Sequence, residues 1–437
     1  MKSGKQVARE IFANTLAALD IPGIMERKLV IRRDVLLLER GEVRLPKNAP
    51  VFVVAIGKAS HALVAGLRAL LPEDYVFEGV VAAPTKPAVP VAGLKYFVGG
   101  HPNPNEGSWQ TAEAILALLR KTNENNVVFF LLSGGGSALT ELPLIPGAQL
   151  ADLQAVNHAL VTCGAPIEAM NTVRRHFSAI KGGRLALAAA QAAKVTLAVT
   201  DVPEGKEHAL ASGPTVPDPS TIADTLRVLD EYGLRAKFPQ LVVRWLDEGN
   251  MPETPKPGNA AFRNAHFQLL LGMHDLFHAA HHAAEAHGYV ACCDNSTDDW
   301  PVERAAEALL QRLEEARREN PGQRVALIAD GELSSPVTGN GVGGRNSAFV
   351  LACVERIAGR NITVFSAGTD GMDGNSPAAG AVADGESFAR TQAMGLDLST
   401  SFRQSDAYTF FNRLDDTIVI GRSGNNLRDL RLLLAEL

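Results

Sequence analysis

Cysteine is scarce in this chain. Cys163, Cys292, Cys293 and Cys353 are all it has in 437 residues, and no two stand at CxxC spacing. That suits reduced thiols better than a disulfide framework or a zinc site. Excess charge of either sign is also lacking. With 42 Lys and Arg against 48 Asp and Glu, the formal net charge is −6, which gives no global attraction for nucleic acid or an anionic membrane surface. No uncharged apolar run reaches the ~18 residues of a membrane span. The start, MKSGKQVAREIF, meets Arg9 and Glu10 before a signal-peptide core can form. The pattern GxxxxGK[ST] is absent, which excludes a P-loop. HExxH is absent too, so His274, His278, His281 and His282 make a poor zinc candidate.

What remains is ordinary globular composition, 46% hydrophobic and 21% charged, which rules out bulk disorder. At ~150 residues per domain, the length predicts two or three domains. A soluble, cytoplasmic protein is the expectation. Short apolar runs alternate with helical patterns. Val51–Ile56 (VFVVAI), Val80–Ala83, Leu94–Val98, Val127–Leu132 (VVFFLL) and Val195–Thr200 read as buried strands. Between them, His61–Leu71, Ser108–Lys121 and Leu150–Cys163 carry apolar residues three and four apart. This alternation predicts an α/β fold with a parallel sheet covered on both faces. Pro-rich stretches at 212–221 and 251–258 flank a further helical pattern, and Phe267–Gly288 reads as one long helix. A second strand series follows at Val290–Cys293, Val325–Ala329, Ile362–Ala367 and Thr417–Ile420. A domain change is therefore expected near residue 235, giving domains 1–235 and 236–437, with residues 1–45 free to pack on the second.

In parallel sheets, ligands bind outside the carboxyl ends of strands. Ser133-Gly134-Gly135-Gly136-Ser137 directly follows VVFFLL. Three glycines let successive N–H groups turn toward one anion, the recipe for a phosphate cradle, although a plain turn explains them equally well. Residues 339–344 (GNGVGG) match GxGxxG, but Pro336 and a long loop separate them from the strand ending at Asp330. A dinucleotide fingerprint needs its glycines at the strand's own turn. Arg345 follows this loop at a helix start, and Lys58 occupies the same kind of place in Gly57-Lys58-Ala59-Ser60. Cations there oppose the helix dipole, which favours an anionic ligand over helix stability as their purpose. Asp201, Asp370 and Asp373 stand at strand ends, where carboxylates suit magnesium or a hydroxyl proton; for Asp373 a plain Asp-Gly turn is the favoured reading. Asn171, Arg174, Arg175, His176, Lys181 and Arg184 form the densest basic stretch. A solvated helix face is its plain explanation, a carboxylate or phosphate pocket its alternative. His101, in the stiff His101-Pro102-Asn103-Pro104 loop, is a lesser catalytic candidate.

AIGKAS (55–60), GGHPNP (99–104), LLSGGGSAL (131–139), MNTVRRHFSAIKGGRLA (170–186), DVPEG (201–205), ASGPTVPDPST (211–221), GGRNSAF (343–349) and SAGTDGMDG (366–374) together resemble the glycerate 2-kinase family. The match runs in order over nearly the whole chain. It implies a Rossmann-like N-terminal domain, a C-terminal MOFRL domain, and an active site in the cleft between them. It further implies phosphorylation of D-glycerate at its 2-hydroxyl with ATP and Mg2+, with Lys58 and Arg345 as the key catalytic cations and residues 133–137 lining the site. Asp201 is the candidate for magnesium or for orienting O2, with Asp370 as second metal candidate. Asn171, Arg174 and Lys181 are candidates for holding the substrate carboxylate. The chain departs from the family at Glu204–Glu207, Glu332–Ser335 and Ile420–Asn426. Two rival functions remain at this stage, an NAD(P)H-dependent hydroxypyruvate reductase and a non-catalytic sugar-acid binding protein. A homodimer is the assembly to test.

Overall fold

VFVVAI and VVFFLL are buried along their whole length, because each lies inside a sheet covered on both faces, whereas Leu94–Val98 stands at its edge and is only partly covered. In the computed structural model, which describes residues 2–47, 49–200, 202–203, 205–424 and 427–437, these runs join one six-stranded sheet. Its order is Leu94–Val98, Phe77–Ala83, Val51–Ile56, Val127–Ser133, Ala193–Val199, Ala265–Leu271, and every pair is parallel. The chain thus builds outward in one direction from Val51–Ile56, then returns to its other side with Val127–Ser133. The resulting switch point lies between the carboxyl ends of those two strands. Helices Ser60–Leu70, Glu106–Leu119 and Leu150–Thr162 fall where the three- and four-residue spacing predicts. Leu150–Thr162, Ile167–Phe177, Ile222–Glu231 and Gln240–Asp247 share a separate apolar core, with Phe177 edge-on to Phe238 and Trp245 at 5.8 and 5.5 Å.

The chain divides into two compact units, Ile21–Gly272 and a discontinuous one made of Met1–Asp20 with Met273–Leu437. The boundary expected near 235 therefore falls at 272–273. The stretch expected as one long helix from Phe267 begins instead with the sixth strand, Ala265–Leu271, and only Met273–Ala286 is helical. Apolar HFQLLL ends at Gly272, as a buried strand does, and pairs with Ala193–Val199. Of residues 1–45, only those up to Asp20 join the second unit. There Phe12 packs on Phe365 at 5.0 Å and Lys5 pairs with Asp416 at 2.8 Å. Val30–Arg32, Val35–Leu37 and Glu42–Arg44 form a small antiparallel sheet in the first unit.

The second unit's sheet is mixed, in the order Val290–Asp294, Val325–Asp330, Asp429–Ala435, Ile362–Gly368, Gly380–Asp384, Thr417–Ile418. Asp429–Ala435 runs antiparallel to both neighbours and is buried throughout. The strand expected over Thr417–Ile420 stops at Ile418. No described helix is long and apolar enough to cross a membrane.

Candidate active site

At the switch point, two strand ends are locked together by Ser133 and Gly57. The Ser133 hydroxyl, fully buried, accepts the Ala59 amide at 2.9 Å, and the Lys58 amide donates to the Gly134 carbonyl at 3.0 Å. Gly57 has φ +135°, and a Cβ there would lie 2.5 Å from the Ser133 carbonyl oxygen, so only glycine admits this approach. Gly135 has φ +81°, with His101 Cδ2 and Lys58 Cγ 3.2 and 3.3 Å from where its Cβ would stand. The loops carrying Lys58, His101 and the three glycines thus converge. Neither the Gly134 nor the Gly135 amide donates to another described residue. Two such amides beside a lysine are the raw material of an anion site. Of the hydroxyls expected to flank the cradle, Ser133 is spent on Ala59, while Ser137 meets Ser212 Oγ at 2.8 Å.

From Ser137 a polar chain runs into the basic stretch. Ser212 Oγ donates to Asn171 Oδ1 at 3.2 Å, and Arg174 reaches Asn171 and Asn157, both at 3.4 Å. Ala211 and Ser212 hold φ of +48° and +59°, a strained conformation that persists only where surrounding contacts enforce it. Lys181, nominated for a substrate clamp, is buried at 1% exposure, ion-paired to Glu141, and donates to the Ser137 carbonyl at 2.8 Å. Its ammonium is thus committed to fixing the loop. Burial pushes its ammonium below the usual lysine range, and Glu141 opposes that only in part. Glu141→Gln should therefore cost about 3 kcal/mol of stability, since it strands a buried ammonium. Urea unfolding should show Glu141→Leu with Lys181→Met recovering much of the loss; equal losses in both would mean the pair is not coupled.

The solvated-face explanation of the basic stretch fails as well. Arg175 is 4% exposed and pairs with the fully buried Asp218 at 2.8 Å. His176, also fully buried, meets Glu253 at 2.9 Å, and Arg184 donates to the carbonyls of Arg175 and Pro252. These residues staple the 170–186 segment to the 216–220 and 252–256 loops. Arg174 and Lys181 instead both line a pocket that includes Ser137, Asn157, Leu153 and Phe177.

In the second unit, helix Arg345–Val354 starts at Gly344. The carboxylate of Asp373, 1% exposed, accepts the Asn346 and Ser347 amides, both at 2.9 Å, and the Ser347 hydroxyl at 2.6 Å. A helix N-terminus plugged by a buried carboxylate leaves no place for a dinucleotide pyrophosphate, so GNGVGG is not a dinucleotide fingerprint. Asp373 does more than form a turn. Arg345 donates from Nε and Nη2 to buried Asp429 at 2.5 and 3.2 Å, and its Nη2 lies 2.7 Å from Glu332. Burial works against the Arg345 charge, but Asp429, with Glu332 and Asp373 behind it, outweighs that and holds the guanidinium above its usual range. The side chain keeps 35% exposure, so it is aimed yet accessible. Asp370 sits in the next loop, where its Oδ1 accepts the Met372 amide at 3.0 Å. Asp201 lies outside the described residues.

Asp429, Glu141 and Ser212 were not singled out as site residues from the sequence. The first two act through partners distant in the chain, a relation no local pattern encodes. For Ser212 a signal existed in the Ser-Gly-Pro run that opens the Pro-rich stretch.

The family model described as a domain of unknown function (DUF4147) matches residues 7–247, and that of the MOFRL family matches residues 325–429. A D-glycerate 2-kinase of Thermotoga maritima is 34% identical over 383 residues, covering 87% of this chain and 89% of that protein. A protein of Agrobacterium vitis, provisionally named a hydroxypyruvate reductase, is 35% identical over 437 residues, covering 99% of this chain and 94% of that one. The crystal structure of a glycerate kinase from Thermotoga maritima superposes with a TM-score of 0.84 at 32% identity, covering 99% of both chains.

Proposed function

Because the chain belongs to the glycerate 2-kinase family, we propose that it transfers the γ-phosphoryl group of ATP to the 2-hydroxyl of D-glycerate. The observation that carries this reading is Lys58 beside the amides of Gly134 and Gly135, which donate to no other described residue, at the switch point of a parallel sheet. Phosphoryl transfer spreads negative charge over oxygens, so catalysis is largely positioning and cation placement. Lys58 and the glycine amides take phosphate oxygens. Arg345, steered by Asp429 and Glu332, neutralises developing charge. Arg174, supported by Asn157 and Asn171, holds the glycerate carboxylate, and Lys181 acts behind the Ser133–Ser137 loop by fixing Ser137. Asp201 orients O2.

Magnesium is commonly held by one or two carboxylates together with substrate phosphates. Asp370, in the Gly-rich loop that follows strand Ile362–Gly368, is a candidate for such a ligand, alongside Asp201. The ion would neutralise charge on the triphosphate. A cytoplasmic homodimer completes the proposal.

The reductase reading is disfavoured by Asp373, which fills the helix N-terminus a dinucleotide would need. Product analysis decides between the readings. Phosphorus NMR should show 2-phosphoglycerate formed with ADP, activity should stop with EDTA and return with magnesium, and NADH should not be consumed with hydroxypyruvate. The carboxylate is adjacent to C2, so an arginine gripping it fixes O2 while O3 rotates freely. A product that is mostly 3-phosphoglycerate would sink the assignment.

A further inference from the structure

The discontinuous unit encloses a cavity of about 260 Å³ that the proposed reaction leaves without an occupant. Val302, Leu351 and Phe402 give it an apolar lining, and Ser335, Ser401 and Ser405 add hydroxyls. Glu303 is the only charged side chain among the described lining residues. The walls are built rather than loose. The Ser405 hydroxyl accepts the Thr338 amide at 3.0 Å, Asp406 accepts the Val342 amide at 2.9 Å, and the Gly341 amide donates to the Gln404 carbonyl at 2.8 Å. A Cβ on Gly339 would lie 2.5 Å from the Gln404 backbone, so the two wall segments are in contact.

We propose that this cavity receives the purine base of the phosphoryl donor, an inference that rests on the reading of ATP as that donor. Size comes first. At about 260 Å³ the cavity has room for a compact group of purine size. Charge comes second. Glycerate or a phosphate would need a cation, and the described lining supplies only a carboxylate; a neutral base with exocyclic and ring nitrogens suits serine hydroxyls and an apolar floor. Placement comes third. Gly344 belongs to the lining, and Arg345 is its next neighbour in the chain, so the cavity shares the helix start that carries the proposed catalytic arginine. Phe402, half-buried at the edge of the unit's core, offers a stacking surface of the kind that binds bases without regard to charge.

The test uses the full chain and ADP with magnesium. Calorimetry should give measurable affinity for wild type, with Phe402→Ala weakening it about tenfold or more, the loss that removing one stacking partner brings. Ala348→Phe, which fills the cavity from its helical wall, should weaken it at least as much. Since either variant can disturb the core, wild-type enzyme should also be photolabelled with an azido-adenine nucleotide. Labelled peptides from 334–344 or 401–407 support the proposal. Label confined to residues 21–272, or ADP affinity within twofold of wild type in both well-folded variants, overturns it while leaving the kinase reading intact. Failure of wild type to bind ADP would overturn that reading and this proposal together.

Discussion

Arg345→Met is expected to lower kcat at least about a hundredfold, and Lys58→Met to do the same. A preorganised charge-stabilising group is commonly worth ~3 kcal/mol in the transition state, which converts to more than two decades in rate. For Arg345 the geometry predicts more than the loss of a charge. Its Nε and Nη2 are committed to Asp429 and Glu332, so the carboxylates dictate where the rest of the guanidinium points. Arg345→Lys keeps the charge but loses the fork, and should recover only part of the rate. Asp429→Asn tests the steering. It should lower kcat while leaving KM for glycerate nearly unchanged, and a structural defect alone would not produce that split. Arg345→Met also leaves the buried Asp429 carboxylate without its partner, so some stability should be lost as well. Steady-state kinetics with thermal unfolding on the same samples measures both. A well-folded Met variant retaining most of its turnover would remove that residue from the catalytic machinery.

The second large effect concerns Gly135. Its φ of +81° is a region where a β-branched side chain is strained, and the position where a Cβ would stand is 3.3 Å from Lys58 Cγ and 3.2 Å from His101. Gly135→Val therefore bends the glycine loop and displaces Lys58 together. Nucleotide affinity should fall beyond calorimetric detection, and kcat should fall with it. Ser137→Ala should be milder, ~1 kcal/mol, because it removes one hydroxyl contact with Ser212. The buried strand cores flanking the loop are untouched, so circular dichroism should remain native in both. Unchanged ATP affinity in Gly135→Val would show that the loop serves glycerate or packing instead.

Much of the first sheet was legible because parallel strands buried on both faces read as unbroken apolar runs, and Val51–Ile56 and Val127–Leu132 end at a Gly and a Ser turn. Lys58, the three glycines and Arg345 stood out because they contradict the local rules of helix stability. Among the strands that went unread, two were hidden for different reasons. HFQLLL runs into the Ala- and His-rich helix across a single Gly272, so a helical reading absorbed it. Asp429–Ala435 carries a charge at each of two inward positions, and a buried strand is not expected to hold Asp429 and Arg431. Those charges are buried because distant partners receive them. Asp429 meets Arg345, and Arg431 donates to the Asp330 and Gly331 carbonyls. The basic stretch 171–184 misled in the same way, since Asp218, Glu253 and Glu141 that neutralise it lie far along the chain.

The place of residues 429–435 has a consequence for how the protein is made. A ribosome emits Ile21–Gly272 as one uninterrupted stretch carrying all strands of its own sheet, which can close as soon as that stretch has emerged. The other sheet has a gap at its middle until Asp429–Ala435 arrives to pair with Val325–Asp330 on one side and Ile362–Gly368 on the other. Until then both neighbours present unpaired edges, the feature that invites pairing with other chains. Helix Gly4–Ala18 must likewise wait for Met273–Ala286, on which it packs, and for Phe365, against which Phe12 rests. The unit holding Arg345 therefore becomes competent only after the one holding Lys58.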